Sequence, residues 1–223
     1  ETQAPDGYEV TESVTFTIEN GVPSPEKIVM VDEYTKVTVS KTDVAGREVP
    51  GAHITLTETS GKKDLSKVQS ASDIVIDDNK ISWVSGKAPV VLEGLPDGEY
   101  TLEETVAPDR YTVTDSVSFR IVNGEVQSVE STVPGLNDSK VDSASNTVIM
   151  VDELSKVNIR KTNVAGKEID GAHLTLTLVS ADEKDATLLK ASVSGGGTNF
   201  IQKSNSIEFV SGITETVIEG IPD

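Results

Sequence analysis

Hydrophobic and polar residues alternate along much of the chain, the pattern that predicts β-strands with one buried face. Val37 and Val39 alternate with polar neighbours, residues 54–57 do the same, and residues 111–121 continue the pattern with one interruption. Successive side chains of a strand point to opposite faces of its sheet, so each of these runs presents one apolar row. The pattern therefore favours strands throughout the chain.

Turn-forming residues separate these runs. Asn-Gly occurs at residues 20–21 and again at 123–124, and this dipeptide is the strongest short signal of a tight β-hairpin. No long helical stripe is present, and only residues 63–68 suggest a single helical turn. We therefore predict an all-β chain.

Two short sequence motifs each occur twice, and the two copies of each motif are 120 residues apart. Lys-Thr-Asp-Val-Ala-Gly at 41–46 returns as Lys-Thr-Asn-Val-Ala-Gly at 161–166, and Ile-Val-Met-Val-Asp-Glu at 28–33 returns as Val-Ile-Met-Val-Asp-Glu at 148–153. Units of about this length are large enough to bury a core. The chain is therefore predicted to hold tandem repeats.

The repeat divides the chain into three parts. They are the C-terminal part of one repeat, a complete repeat and the N-terminal part of a third, at residues 1–34, 35–154 and 155–223. The copies differ mainly near residues 125–147 and at the glycine-rich segment 194–197. Insertions confined to such loops are typical of β-sandwiches.

Composition narrows the possible partners. The net charge is −18 among 223 residues, which argues against nucleic acids and anionic membrane surfaces as partners because both are negatively charged. The chain has no cysteine, so disulfides cannot reinforce it. No motif for a metal, cofactor, catalytic Ser/His/Asp set or nucleotide is visible. We expect no cofactor, no membrane insertion and no enzyme with turnover.

Three ionisable residues continue apolar rows that are expected to face the core. The rows are Val37, Val39 and Lys41; Tyr100, Leu102 and Glu104; and Val148, Met150 and Asp152. Lys161 and Asp32 hold the same positions in the other copies, after Val157 and Ile159 and after Ile28 and Met30. Such a pattern predicts that a lysine and two carboxyls are buried in each complete unit.

Burial disfavours the charged form of each of these groups. A neutral lysine amine is a nucleophile, and a protonated glutamic acid can polarise an aspartyl carboxyl. Attack with loss of water would give an amide between the two side chains, helped by fixed proximity. The alternative is an ordinary buried ion pair, which does not reliably stabilise a protein.

The same residues carry a family resemblance. Glu104-Thr-Val-Ala-Pro-Asp-Arg-Tyr111 and Glu1-Thr-Gln-Ala-Pro-Asp-Gly-Tyr8 resemble the E-box of collagen-adhesin B-type (CnaB, or SpaA-like) domains of Gram-positive surface proteins and pilins. Residues 39–46 resemble that family's first-strand lysine motif. Residues 28–34 are similar to the last-strand peptide of a streptococcal fibronectin-binding-protein domain. The chain departs from the family at Arg110, where glycine is usual.

The resemblance implies an immunoglobulin-like, prealbumin-like β-sandwich with a spontaneous isopeptide bond. Lys41 would be the nucleophile, Asp152 the electrophile and Glu104 the proton shuttle. It also implies an extracellular, cell-wall-anchored position on a bacterial surface and a structural role in an adhesin or pilus stalk, with neighbouring repeats as partners. The alternative is a module that binds a host matrix protein or glycan through its variable loops. Those loops are poor in aromatic residues and arginine, which favours the stalk.

The outer parts each hold an incomplete set. Glu1 and Asp32 lack their lysine, and Lys161 lacks its carboxyl partners. We expect the C-terminal part of one chain to associate with the N-terminal part of another copy, with a Lys161–Asp32 bond as the covalent version. The alternative is that the sequence is a piece of a longer ordered chain.

Overall fold

A computed structural model of the chain describes residues 1–129, 139–179, 187–197 and 199–222. Nearly all regular structure in these residues is β-strand, which confirms the all-β prediction. The described residues include no helix with the length and hydropathy needed to cross a membrane. The structure separates into two compact units, and the three-part division made from the sequence stays a prediction.

The first unit comprises residues 1–107 and 113–152. Its strands are β1 (Thr17–Glu19), β2 (Val22–Ser24), β3 (Lys36–Asp43), β4 (His53–Glu58), β5 (Val75–Asp77), β6 (Lys80–Val84), β7 (Val90–Glu93), β8 (Gly98–Val106), β9 (Val117–Val122), β10 (Glu125–Ser128), β11 (Lys140–Asp142) and β12 (Thr147–Asp152). A 3₁₀ helix, Ser143–Ser145, precedes β12.

Two sheets enclose the core of this unit. One has the strand order β10-β9-β8-β4-β6-β5, and the other has the order β11-β12-β3-β7. Apolar side chains from both sheets, including Val39, Leu56, Leu102 and Met150, form one buried cluster. β12 pairs with β3 in parallel, so strands from the two ends of the predicted repeat 35–154 lie side by side.

The second unit comprises residues 108–112 and 153–223. Its strands are β13 (Lys156–Ile159), β14 (His173–Thr177), β15 (Ser192–Gly195), β16 (Phe200–Gln202), β17 (Ser206–Val210) and β18 (Thr216–Glu219), with a 3₁₀ helix at Leu188–Lys190. They form the sheets β13-β18-β15 and β14-β17-β16. A smaller cluster containing Leu188, Ile207, Phe209 and Ile218 fills its core.

The turn predictions hold, and two predictions of local structure do not. Asn20 and Asn123 begin the β1–β2 and β9–β10 turns, each with positive φ at both residues of the Asn-Gly pair. In contrast, the predicted strand over 111–121 begins only at Val117. Residues 63–68 form no helix, and a turn instead links the amide of Val68 to the carbonyl of Leu65 at 3.0 Å.

The N-terminal copy of the last-strand phrase also differs from expectation. Residues 28–33 form no strand, and Ile28 and Met30 are exposed rather than core-facing. The reason is that period-two alternation buries a row only where a second layer packs on it. No core cluster in the described residues includes these side chains.

Each unit includes a Pro-Asp-Xaa-Tyr turn that hydrogen-bonds to the residue just before one of its strands, β3 in the first unit and β13 in the second. In the second unit, Ser155 donates its amide hydrogen to the Arg110 carbonyl at 2.7 Å, and Gly220 donates to the Ser155 carbonyl at 2.8 Å. In the first unit, Thr35 donates in the same way to Gly7 at 3.0 Å. Each turn therefore belongs to the same unit as the strand that it contacts.

Arg110 fastens the turn of the second unit. Its backbone has φ 77°, a left-handed conformation that costs a side-chain-bearing residue about 1–2 kcal/mol. Its buried guanidinium donates to the Gly220 carbonyl at 2.7 Å and to the Thr187 carbonyl. Hydrogen bonds from a charged donor each contribute about 1.5–3 kcal/mol, which offsets the backbone strain.

We predict that Arg110→Ala lowers the free energy of unfolding of the second unit by about 2–4 kcal/mol, because two carbonyls lose a charged donor while the backbone strain remains. Arg110→Gly should recover about 1 kcal/mol of this loss because glycine tolerates positive φ. Hydrogen exchange at the Gly220 amide measures the effect. Arg120→Ala, in which an exposed arginine contacts Gln127, is the matched control. Equal exchange in Arg110→Ala and the parent would contradict the role assigned to the guanidinium.

Candidate functional site

The three side chains singled out by the alternation come from three different strands of the first unit. Lys41 lies on β3, Glu104 on β8 and Asp152 at the end of β12. In the parallel β3–β12 pair, Lys41 lies opposite Met150. Asp152 is two residues further along and points to the same face as Met150, so it is the diagonal neighbour of Lys41.

The structure brings these side chains together in the core. The Lys41 Nζ atom contacts the Asp152 Oδ1 atom directly and lies 3.3 Å from the Glu104 Oε1 atom. The lysine side chain is 1 % exposed, and the two carboxylates are fully buried. Substrates or solvent therefore have no open route to the cluster, and its members can act chiefly on each other.

A β-bulge lies beside the glutamate. The pairing of β4 with β8 matches Ile54 to Glu104 and His53 to Val106, so Thr105 is the extra residue. Bulges re-aim the adjacent side chain and recur next to reactive sites. Glu104 points into the core in the same row as Leu102, which is buried. The bulge thus interrupts the regular hydrogen-bond ladder of β4 and β8 beside Glu104, whose side chain must point toward Lys41 and Asp152.

Burial changes the acidity of the cluster. It raises the pKa of Asp152 to about 6, partly countered by the hydrogen bond and charge of Lys41 and reinforced by the Glu104 carboxyl. The raised pKa makes the neutral acid form of Asp152 more populated near neutral pH than for an ordinary aspartate. The neutral acid is the form that an amine can attack to release water.

Two oxygen atoms of the cluster lack hydrogen-bond partners. They are the Glu104 Oε1 and Asp152 Oδ2 atoms, both buried. The Glu104 Oε1 atom is ion-paired with the Lys41 Nζ atom at 3.3 Å but accepts no hydrogen bond, and a buried carboxylate oxygen without a hydrogen bond is unfavourable. A proton shared between the two carboxyls would satisfy both oxygens, so the geometry fits one neutral acid and one carboxylate.

Sequence reasoning missed Thr114. Its amide hydrogen is donated to the Glu104 Oε2 atom and its hydroxyl to the Val151 carbonyl, each at 2.8 Å. Thr114 follows Glu104 by ten residues, and Thr11 follows Glu1 by the same spacing. Comparison of the two E-box copies could therefore have pointed to this threonine.

The residues of the two incomplete sets, Glu1, Asp32 and Lys161, are not part of the buried cluster. Glu1 is exposed, and its Oε2 atom accepts a hydrogen bond from the Thr11 amide at 2.8 Å. Asp32 is half-buried beside exposed Val31. Lys161 is half-buried, and no ion pair joins it to a carboxylate within the part of the chain that the structure describes. The structure therefore assembles the full triad at Lys41, Glu104 and Asp152.

Of the two variable loop segments that could bind a host ligand, one lies only partly within the described residues. Of the variable segment 125–147, residues 125–128 and 140–142 are strands β10 and β11, while residues 130–138 lie outside the described residues. Of segment 194–197, residues 194 and 195 are the last two residues of β15, and residues 196 and 197 follow that strand. Among the described residues, no group of three or more His, Cys, Asp or Glu side chains could hold a metal ion.

Residues 35–133 match the family model of the SpaA domain, described as a prealbumin-like fold domain. A search of curated proteins finds no significant match.

Three solved structures with some likeness to this chain are bacterial proteins. The pilus adhesin RrgA from Streptococcus pneumoniae is 23 % identical with a TM-score of 0.40, and the match covers 57 % of this chain and 16 % of that one. The full-length major pilin SpaD from Corynebacterium diphtheriae is 15 % identical with a TM-score of 0.34, covering 83 % and 56 %. The Bacillus anthracis TIE protein is 18 % identical with a TM-score of 0.36, covering 95 % and 38 %.

The chain spans less than two thirds of the length of each of these three structures, and likenesses of this size say nothing about function. The family match rests instead on the segment that contains β3 to β10, including Lys41 and Glu104. The prealbumin-like β-sandwich predicted from the sequence is confirmed, and residues 35–133 resemble the SpaA family of prealbumin-like domains.

Proposed function

We propose that residues 35–154 form a structural stalk repeat of a cell-wall-anchored adhesin or pilus-like protein of Gram-positive bacteria. An isopeptide bond between Lys41 and Asp152, promoted by Glu104, stabilises the repeat. The observation that carries the proposal is the contact of the buried Lys41 Nζ atom with the Asp152 Oδ1 atom, 3.3 Å from the Glu104 Oε1 atom.

The reaction balances within the three side chains. The neutral Lys41 amine attacks the carbonyl carbon of the neutral Asp152 carboxyl, and the Glu104 carboxylate takes a proton from the nitrogen and delivers it to the departing hydroxyl. The C–O bond breaks and water leaves. One C–N bond forms, Glu104 is regenerated, and no outside oxidant or energy source is needed. Contact between the reacting groups supplies the effective concentration that the step requires.

The position of the bond suits a load-bearing repeat. Lys41 lies on the first strand of the repeat and Asp152 on its last strand, and the two strands pair in parallel. A pull on the two ends of a parallel pair shears its hydrogen bonds. With the proposed bond in place, the force passes from Lys41 to Asp152 through covalent bonds and leaves residues 42–151 unloaded.

The cluster suits a single reaction better than turnover. An enzyme must admit a substrate, whereas the lysine here is 1 % exposed and both carboxylates are fully buried. The product amide would occupy the reacting atoms permanently. We therefore propose a structural role and no catalytic cycle.

The bond predicts a loss of one water, about 18 Da, from the intact chain. Lys41→Arg keeps a buried positive charge but removes the nucleophile, so its mass should equal the sequence mass. Lys161→Arg is the matched control, since it changes the equivalent lysine of an incomplete set and should keep the mass deficit. A parent chain of full sequence mass would mean that the cluster is only a buried ion pair.

The bond should also stabilise the repeat by closing a long loop. Lys41 and Asp152 are 111 residues apart, and a cross-link of this span stabilises by about 5 kcal/mol through loop-closure entropy. We expect Lys41→Arg to unfold at a lower urea concentration than both the parent and Lys161→Arg, monitored through Trp83 fluorescence. Coincident unfolding of Lys41→Arg and the parent would argue against a covalent constraint.

The incomplete sets suggest association between copies. β3 pairs with both β7 and β12, whereas β13 pairs only with β18 within the described residues. Residues 28–33 of a second copy could pair with β13 as β12 pairs with β3. That pairing would place Asp32 beside Lys161, with Glu1 in the role of Glu104.

We therefore expect concentrated protein to form head-to-tail oligomers. If Lys161 and Asp32 react, denaturing gel electrophoresis should show a ladder that Asp32→Ala abolishes. Lys41→Arg should keep the ladder because it leaves the outer sets intact. A single monomer band from concentrated protein would exclude the covalent version, and light scattering would then test for non-covalent association.

A further inference from the structure

We infer that Thr114 is a positioning residue for the proposed isopeptide reaction. It holds the Glu104 carboxyl in the orientation that directs its Oε1 atom at Lys41 and Asp152. This inference rests on the proposed function, and the experiment below separates the failure of one from the failure of the other.

The two bonds of Thr114 join the glutamate to the strand that carries the aspartate. The Thr114 amide donates to the Glu104 Oε2 atom, and its hydroxyl donates to the carbonyl of Val151, the residue before Asp152. Thr114 is buried although its neighbour Val113 is exposed. The threonine therefore ties β8 to the end of β12 at the reacting residues.

These contacts assign different tasks to the two glutamate oxygens. The Oε2 atom accepts from an amide N–H, and an oxygen that accepts such a bond is favoured as the unprotonated one. The Oε1 atom has no hydrogen-bond partner and lies 3.3 Å from the Lys41 Nζ atom. A proton on Glu104 is thereby placed on the oxygen that faces the reacting pair.

The same arrangement occurs independently at the N-terminal E-box copy. Thr11 donates its amide hydrogen to the Glu1 Oε2 atom at 2.8 Å and its hydroxyl to the Val31 carbonyl at 2.9 Å. Val31 precedes Asp32 as Val151 precedes Asp152. This copy is exposed and has no lysine of its own set, so the clamp forms without a lysine or a surrounding core. The threonine clamp is therefore a local property of the glutamate and aspartate segments.

The hydrogen bond from the Thr114 amide to Glu104 also explains why the strand predicted over residues 111–121 begins only at Val117. Residues 111–116 do not extend β9, because Thr114 turns its amide toward Glu104 rather than into a strand ladder. A regular strand here would use that N–H for pairing. The irregular segment is what makes the donor available.

The test is the rate of water loss during folding. The chain is synthesised by cell-free translation and quenched in acidic denaturant at intervals, and the fraction with the mass deficit is read by mass spectrometry. Thr114→Val should react about 10- to 100-fold more slowly than the parent, because small misplacements of a reacting group cost up to about 100-fold. Thr114→Ser, which restores the hydroxyl, should recover most of the rate.

Two controls separate positioning from loss of stability. Thr59→Val removes a hydroxyl that donates to the Glu99 carbonyl at 3.1 Å, at the other end of the β4–β8 pair from Glu104, and should react at the parent rate. In a Glu104→Gln background, Thr114→Val should cause little further slowing, because it acts through Glu104. A purely structural effect would slow both backgrounds equally.

The outcomes are distinct. A parent chain without a mass deficit overturns the proposed function itself. A reactive parent with Thr114→Val at the same rate overturns the positioning role alone. If Thr114→Val slows the reaction equally in the presence and absence of Glu104, or if Thr114→Ser fails to recover the rate, the threonine is only a structural residue.

Discussion

The parallel pairing of β3 with β12 is the interaction on which the first unit depends. It joins strands from the two ends of the repeat and sets the register in which Lys41 lies opposite Met150. That register makes Asp152 the diagonal neighbour of the lysine. A shift by one residue would turn Lys41 or Asp152 to the other face of the sheet. Both the closed sandwich and the buried cluster follow from this one pairing.

The cluster is unfavourable as a set of charges. Three ionisable groups are almost completely removed from water, and two of their oxygens lack hydrogen-bond partners. Such ion pairs often contribute less than an apolar core of the same volume. Conversion of the lysine and aspartate to a neutral amide would remove two charges from the core while keeping the strands together. The proposed bond therefore gives a physical reason for a polar cluster in this position.

The polar contacts around the cluster and at the turns each occur in two copies along the chain. A Glu–Thr–last-strand clamp occurs at Thr114 and at Thr11. A Pro-Asp-Xaa-Tyr turn hydrogen-bonds to the residue before β3 at Gly7 and to the residue before β13 at Arg110. The clamp keeps the same glutamate and threonine in both copies, whereas the turn keeps its backbone bond and differs at Arg110, where the guanidinium supplies contacts that glycine lacks.

The local features of the fold could be predicted from the amino-acid sequence. Alternation predicted the all-β fold, Asn-Gly predicted both hairpins, and strand parity placed Lys41, Glu104 and Asp152 in buried rows, as the structure has them. These features depend on neighbours a few residues apart. The alternation prediction is wrong at residues 111–116 and at Ile28 and Met30. Their pattern is that of a strand, but no strand or core layer among the described residues pairs with them as the prediction requires.

Which atoms meet depends on the pairing and packing of distant strands. Lys41 and Asp152 are separated by 111 residues, and no periodicity specifies a distance across such a gap. Sheet pairing brought them into contact, and burial then raised the pKa of Asp152. The role of Thr114 was likewise invisible in the alternation, because its hydrogen bonds run to a glutamate and a carbonyl on two other segments. Local pattern sets which face a side chain takes, whereas the packing of distant strands sets what that side chain can react with.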